Sequence, residues 1–167
     1  MDQRMSKDKY YLNIADAVLD RSTCLRRKYG AIIVKNDEIL STGYNGAPRG
    51  RSNCIDLGYC IRERLGIPAG ERYELCRSVH AEMNAIISAA RSECIGGTIY
   101  LAGRDVATGE LIPDLLPCPM CRRMIINAGL SKIVIRRTPS TYDILNVQDW
   151  VFHDDSVIDP SESGEQA

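Results

Sequence analysis

A chain of 167 residues with 44% hydrophobic content has enough apolar material to fill one core. Its 21 Lys and Arg against 22 Asp and Glu leave a formal charge of −1, which excludes a generally basic nucleic-acid binder. No run approaches the roughly 20 apolar residues of a membrane span, and the start, MDQRMSKDKYY, lacks the apolar stretch of a secretory signal, so a cytoplasmic protein is expected.

Ser6 reads as an N-cap, and Tyr11, Ile14, Ala15, Val18 and Leu19 follow at helical spacing, which predicts an amphipathic helix ending near Ser22. Ile32, Ile33 and Val34, then Ile39 and Leu40, flank Asn36-Asp37 and predict a β-hairpin. Residues 45–78 keep no sustained period and read as a long irregular insertion. Such a loop is uncommon in a compact domain, so something must pin it down. A helix is expected from Val79 to about Arg91, a strand at TIYLAG, and a turn-rich excursion over 103–116. Pro117 fits the first position of the next helix, Gly129 its end, and KIVIR a further strand. The order α-β-β-α-β-α-β predicts an α/β fold, a mixed sheet with helices on its faces. One domain over 1–153 and an acidic, disordered tail over 154–167 are expected.

The seven cysteines need an explanation. An odd count in an intracellular chain argues against a disulfide framework and for metal or catalytic use. Cys118 and Cys121 are three apart at a predicted helix start, where the partial positive charge favours thiolate. His80 opens the other helix. These three supply N and S ligands for a tetrahedral zinc with its fourth position open, the arrangement of a catalytic rather than a structural site. Glu82, two residues after His80, is close enough to reach a metal-bound water without ligating. Zinc lowers the pKa of such water to about 7, and a neighbouring carboxylate can carry its proton to a leaving amine. H-x-E followed by P-C-x-x-C is a recognised signature of zinc nucleobase deaminases.

TCLRRKYGAIIV, STGYNGAPRG, ELCRSVHAEMNAI and PCPMCRRMIINAG together resemble the cytidine/deoxycytidylate deaminase superfamily, and within it the deoxycytidylate (dCMP) deaminases, over residues 8–136. The resemblance implies a three-layer α-β-α fold with a five-stranded mixed sheet, zinc on His80, Cys118 and Cys121, and Glu82 as proton shuttle. It implies hydrolysis of dCMP to dUMP and ammonia for thymidylate synthesis, with zinc hydroxide attacking C4. Hexamers regulated by dCTP and dTTP are common in the family. By the same resemblance Asn45 would bind the sugar hydroxyl, Ala81 would sit at the substrate, and Tyr142 would lie against the base. For the 5′-phosphate, Arg26 is the first candidate, ahead of Arg27, Lys28, Arg49 and Arg51, because a guanidinium captures phosphate in bidentate fashion. The GRDVATGELIPDLL segment departs from the family pattern by lengthening a loop beside the pocket.

Cys24, Cys54, Cys60 and Cys76 lie in or near the insertion, and four thiolates would make a closed structural zinc that staples it. The alternative is that they are small buried hydrophobes. Cys94 is expected in the core, His153 on the surface, and Arg122 and Arg123 on the surface of the zinc helix. Rival readings are a tRNA-adenosine or riboflavin-pathway deaminase, which use the same zinc trio, and an inactive zinc-stapled scaffold.

Overall fold

The computed structural model describes residues 4–154; the expected tail from 155 onward lies outside them. One five-stranded sheet, in the order β2-β1-β3-β4-β5, forms the middle layer. It consists of β1 (Arg27–Lys35), β2 (Glu38–Tyr44), β3 (Thr98–Asp105), β4 (Lys132–Arg136) and β5 (Tyr142–Asn146). β3 and β4 are parallel and the other pairs antiparallel, so the sheet is mixed as expected.

The strand residues alternate between two cores. Ala31, Ile33, Ile99, Leu101, Ile133 and Ile135 face one side, while Ile32, Val34, Tyr100, Ala102 and Val134 face the other. Burial on both faces explains why these strands read as continuous apolar runs. The second side is covered by α1 (Lys7–Leu19), whose Leu12, Ala15 and Leu19 are buried. The Ser6 hydroxyl accepts from the Lys9 amide, the cap that the sequence predicts. Arg104 donates two bonds to Asp16, and Tyr100 one to Asp8, which fix α1 across the sheet. The first side carries α4 (Ala81–Ile87) and α6 (Pro119–Asn127).

Asn36 and Asp37 both take the left-handed conformation (φ 52° and 63°). That is the two-residue turn whose twist matches paired strands. Two glycines set the helix spacing. A Cβ on Gly30 would meet the Ala15 carbonyl at 2.1 Å, and one on Gly43 the Ala81 carbonyl at 2.3 Å. Each helix therefore rests directly on strand backbone.

Several boundaries differ from expectation. α6 starts at Pro119, not Pro117, because Cys118 precedes a proline and is held extended (φ −65°, ψ 162°). The helix expected over Val79–Arg91 is shorter: α4 ends at Ile87, and α5 (Arg91–Cys94) is separate. Val79 is extended and pairs with Gly46. A strand that the sequence does not predict, β5, follows β4 and begins at Tyr142. The insertion is built from α2 (Cys54–Leu57), α3 (Ile61–Arg64) and a 3-10 turn at Tyr73–Leu75. A short α7 (Val147–Phe152) follows β5, and no helix among the described residues is long and apolar enough to cross a membrane.

Candidate active site

The backbone bonds between Val79 and Gly46 (2.8 and 3.2 Å) hold the chain extended up to His80, which is the N-cap residue of α4. Cys118 occupies the equivalent position on α6, with Cys121 one turn inside. His80 Nδ1 lies 3.5 Å from Cys118 Sγ and 3.4 Å from Cys121 Sγ. Tetrahedral zinc with Zn–N and Zn–S bonds of about 2.05 and 2.3 Å requires an N···S spacing of roughly 3.5 Å. The donor set and its spacing therefore fit zinc. Among the described residues this is the one group of three or more His, Cys, Asp or Glu whose ligand atoms all lie within 4.8 Å of one another.

Electrostatics reinforce the pairing. Burial alone would lower His80, but hydrogen bonds to Cys118 and Cys76 and the Glu82 charge push the imidazole up to about 10. A hydrogen bond from Cys121, joined by His80, brings the Cys118 thiol down to about 4 despite burial. Cys121, facing that thiolate and fully buried, is pushed up. Glu82 is 6% exposed, and its burial raises the carboxyl. It hydrogen-bonds Cys121 and feels the charge of His80. A carboxyl in this state holds a proton more readily than a surface glutamate, which suits a group that must take and return one.

A cavity of about 120 Å³ opens over His80, Glu82 and Cys118. The loop before β1 lines it with Cys24, Arg26 and Arg27, and the insertion contributes Arg62, Tyr73 and Cys76. The excursion over 103–116 reaches it through Leu115, so this loop does border the pocket. Tyr73 stands edge-on to His80 with ring centres 5.6 Å apart. Tyr29, also on the wall, is hydrogen-bonded to Arg27, and burial raises its hydroxyl.

Of the substrate-binding residues expected from the sequence, Asn45 and Arg26 line this cavity, but both are engaged elsewhere. Asn45 Oδ1 accepts from Ser22 Oγ and the Tyr29 amide, and its Nδ2 donates to the Arg27 carbonyl. Its side chain ties the ends of the hairpin to the end of α1. Arg26 pairs with Glu63 at 3.0 Å. Ala81 is fully buried at the start of α4. Tyr142 packs in the core under α1, on the face of the sheet opposite His80, and is not in the cavity. Arg51 borders a separate hollow with Cys54 and Arg77.

Cys24, Cys60 and Cys76 surround Cys54 closely enough that their charges add to burial in raising its thiol. All seven cysteines are free thiols. Cys94 is fully buried, His153 is exposed, and Arg123 is exposed, as expected. Arg122 reaches back to the Pro117 carbonyl and lies over Trp150. Among the cavity residues that sequence reasoning missed are Arg62 and Tyr73 of the insertion. Neither stands in a recognisable motif, and only their position in the insertion that needed pinning hinted at a role.

Residues 5–137 match the family described as the cytidine and deoxycytidylate deaminase zinc-binding region. The deoxycytidylate deaminase of Mycobacterium phage D29 is 37% identical over 132 residues, covering 76% of this chain and 91% of that protein. The enzyme of that name from Schizosaccharomyces pombe is 33% identical over 131 residues, 78% of this chain but 37% of its own length. The chain thus spans little more than a third of that fungal relative. Among solved structures, the dCMP deaminase of cyanophage S-TIM5 in complex with dCMP and dUMP superposes with a TM-score of 0.54 at 30% identity, covering 80% of this chain and 84% of that one.

Proposed function

Because the chain belongs to the cytidine and deoxycytidylate deaminase family, we propose that it hydrolyses dCMP to dUMP and ammonia. The observation that carries this reading is the buried Glu82 carboxyl set against the His80, Cys118 and Cys121 ligand group at one cavity. The likeness to a structure holding dCMP and dUMP supports the substrate.

Zinc held by His80 Nδ1 and the two sulfurs would supply Lewis acidity and a water activated at neutral pH. Glu82 then takes a proton from water, passes it to N3 of the cytosine, and delivers a proton to the departing amino group at C4. The buried setting excludes bulk water, so the proton stays between carboxyl and substrate. Tyr73 fixes the plane of His80 by its edge-on contact. Cys76, on the wall of the same cavity, helps raise the basicity of the ring, as outer-shell partners of metal-bound histidines do.

Glu82→Gln tests the assignment. The variant is expected to keep its zinc and lose turnover of dCMP by at least about 10²- to 10⁴-fold. A variant with parental turnover refutes it.

We propose a second, structural zinc on Cys24, Cys54, Cys60 and Cys76. Its support is the gathering of four thiols from three stretches of chain, and an insertion whose buried side chains after Asn45 are Cys54 and Arg62. Binding would draw the sulfurs together, since they do not share the compact spacing of the first group. Metal analysis of pure protein is expected to give two zinc ions per chain; a value of one sinks this part. Assembly into a homo-oligomer, regulation by dCTP and dTTP, and a cytoplasmic location belong to the same proposal. Exposed Ile87, Ile144 and Phe152 are consistent with subunit contacts.

A further inference from the structure

Arg62 is a charged side chain only 6% exposed, on α3 of the insertion. Its Nη2 donates to the carbonyls of Pro68 (2.8 Å) and Glu71 (2.6 Å), and its guanidinium lies 4.5 Å over the Tyr73 ring. Its Nε is buried with no hydrogen-bond partner. Among the described residues no carboxylate forms an ion pair with it: neighbouring Glu63 pairs with Arg26, and Glu74, which feels its charge, pairs with Arg72. A buried cation with an unused donor and no carboxylate in ion-pair contact is costly to keep. It is sustained where an anion arrives from outside the chain.

The position says which anion. Arg62 borders the same cavity as His80, Glu82 and Cys118. Tyr73 sits between it and the imidazole, and the two ring spacings limit the distance from guanidinium carbon to His80 ring centre to about 10 Å. A cytosine nucleotide can span a separation within that limit between its amino group and its 5′-phosphate. The other cavity cations are committed: Arg26 to Glu63, and Arg27 to the Tyr29 hydroxyl.

We propose that Arg62 is the residue that recognises the 5′-phosphate of the substrate and so makes the site select a nucleoside monophosphate over the free nucleoside. The inference rests on the cytosine-nucleotide reading above. Held in place by two carbonyls and a ring face, the guanidinium offers its charge and its remaining Nη1 donor to a phosphate oxygen. Arg26 is displaced from first place among the phosphate candidates because its charge is already neutralised at the rim.

The test compares kcat/KM for dCMP and deoxycytidine in the zinc-loaded full chain and its Arg62→Gln variant. The dCMP-to-deoxycytidine ratio is expected to fall about 10- to 100-fold, the range of a charge-assisted hydrogen bond. Equal losses on both substrates would show that Arg62 only props Tyr73 against His80, and an unchanged ratio would show that phosphate lies elsewhere; either overturns the proposal. A second arm needs no turnover. Inorganic phosphate is expected to raise the Tm of the parent chain, and Arg62→Lys, which keeps the charge but not the guanidinium fixed by the Pro68 and Glu71 carbonyls, should weaken that shift. A parent unaffected by phosphate overturns the proposal even if Arg62→Gln does not fold. Should the parent release no ammonia from either cytosine substrate, the deaminase reading fails, while the phosphate shift still reads Arg62 directly.

Discussion

Gly43→Ala is a one-methyl change on β2, outside the ligand group, that should disable the site. The added Cβ would stand 2.3 Å from the Ala81 carbonyl oxygen and 2.4 Å from the Ala85 amide nitrogen. Ordinary van der Waals contact begins near 3.4 Å, so α4 must retreat by about 1 Å. Both obstacles are helix backbone, which no rotamer change can relieve. Overpacking of this kind costs roughly 1 to 3 kcal/mol, which for a chain of this size lowers Tm by roughly 3 to 10 °C. The larger effect is on chemistry. His80 and Glu82 ride on α4, whereas Cys118 and Cys121 ride on α6, so the retreat opens the 3.4 and 3.5 Å spacings that fit zinc. A displacement near 1 Å in a catalytic constellation costs on the order of 10²-fold in rate. Zinc content, thermal melting and ammonia release from dCMP would be measured together. Gly109→Asn is the control: this position has a left-handed φ of 72°, which Asn tolerates, and open space around it. Parental Tm and turnover in Gly43→Ala would refute the idea that α4 is seated by backbone contact.

Zinc affinity should climb with pH. In the metal-free protein His80 is raised to about 10 and is protonated at neutrality, and Cys121 is held as a thiol, while Cys118 is already thiolate. Binding at pH 7 must expel about two protons, so the apparent affinity is expected to rise roughly 100-fold per pH unit between pH 6 and 8; chelator competition with a flat profile would contradict the pairing. Tyr100→Phe removes the 2.7 Å hydrogen bond to Asp8 under α1 and should cost about 1 to 2 kcal/mol without changing turnover. Burial, then Asp8, raise the Tyr100 hydroxyl above its ordinary value. Its contribution is therefore whole below pH 10 and lost as pH rises through the raised value. Alkaline melts of the Phe variant should lack that loss.

What the sequence shows and hides follows from the range of the interactions involved. Ser6, Asn36-Asp37 and the apolar runs of β1, β3 and β4 act through neighbours a few residues away, so their pattern predicts α1, the hairpin and three strands directly. His80, Cys118 and Cys121 were legible because zinc chemistry restricts ligand types and helical spacing restricts their intervals. β5 was harder to see: at the sheet edge its burial is partial, leaving Asp143 and Ile144 exposed, and it lacks the continuous apolar run of a central strand. Asn45 shows a different limit: the family resemblance offers it as a sugar ligand, while the three hydrogen bonds that lock the hairpin ends leave no mark in the sequence. Arg62 was invisible because its significance is a deficit. One arginine among several in an aperiodic segment looks like a solvated charge, and only the fold reveals that it is buried, has no carboxylate in ion-pair contact among the described residues and borders the cavity. Sequence patterns record groups that satisfy one another nearby. A group whose partner is the substrate leaves no such pattern, so the residues that choose the substrate are the ones that a fold must disclose.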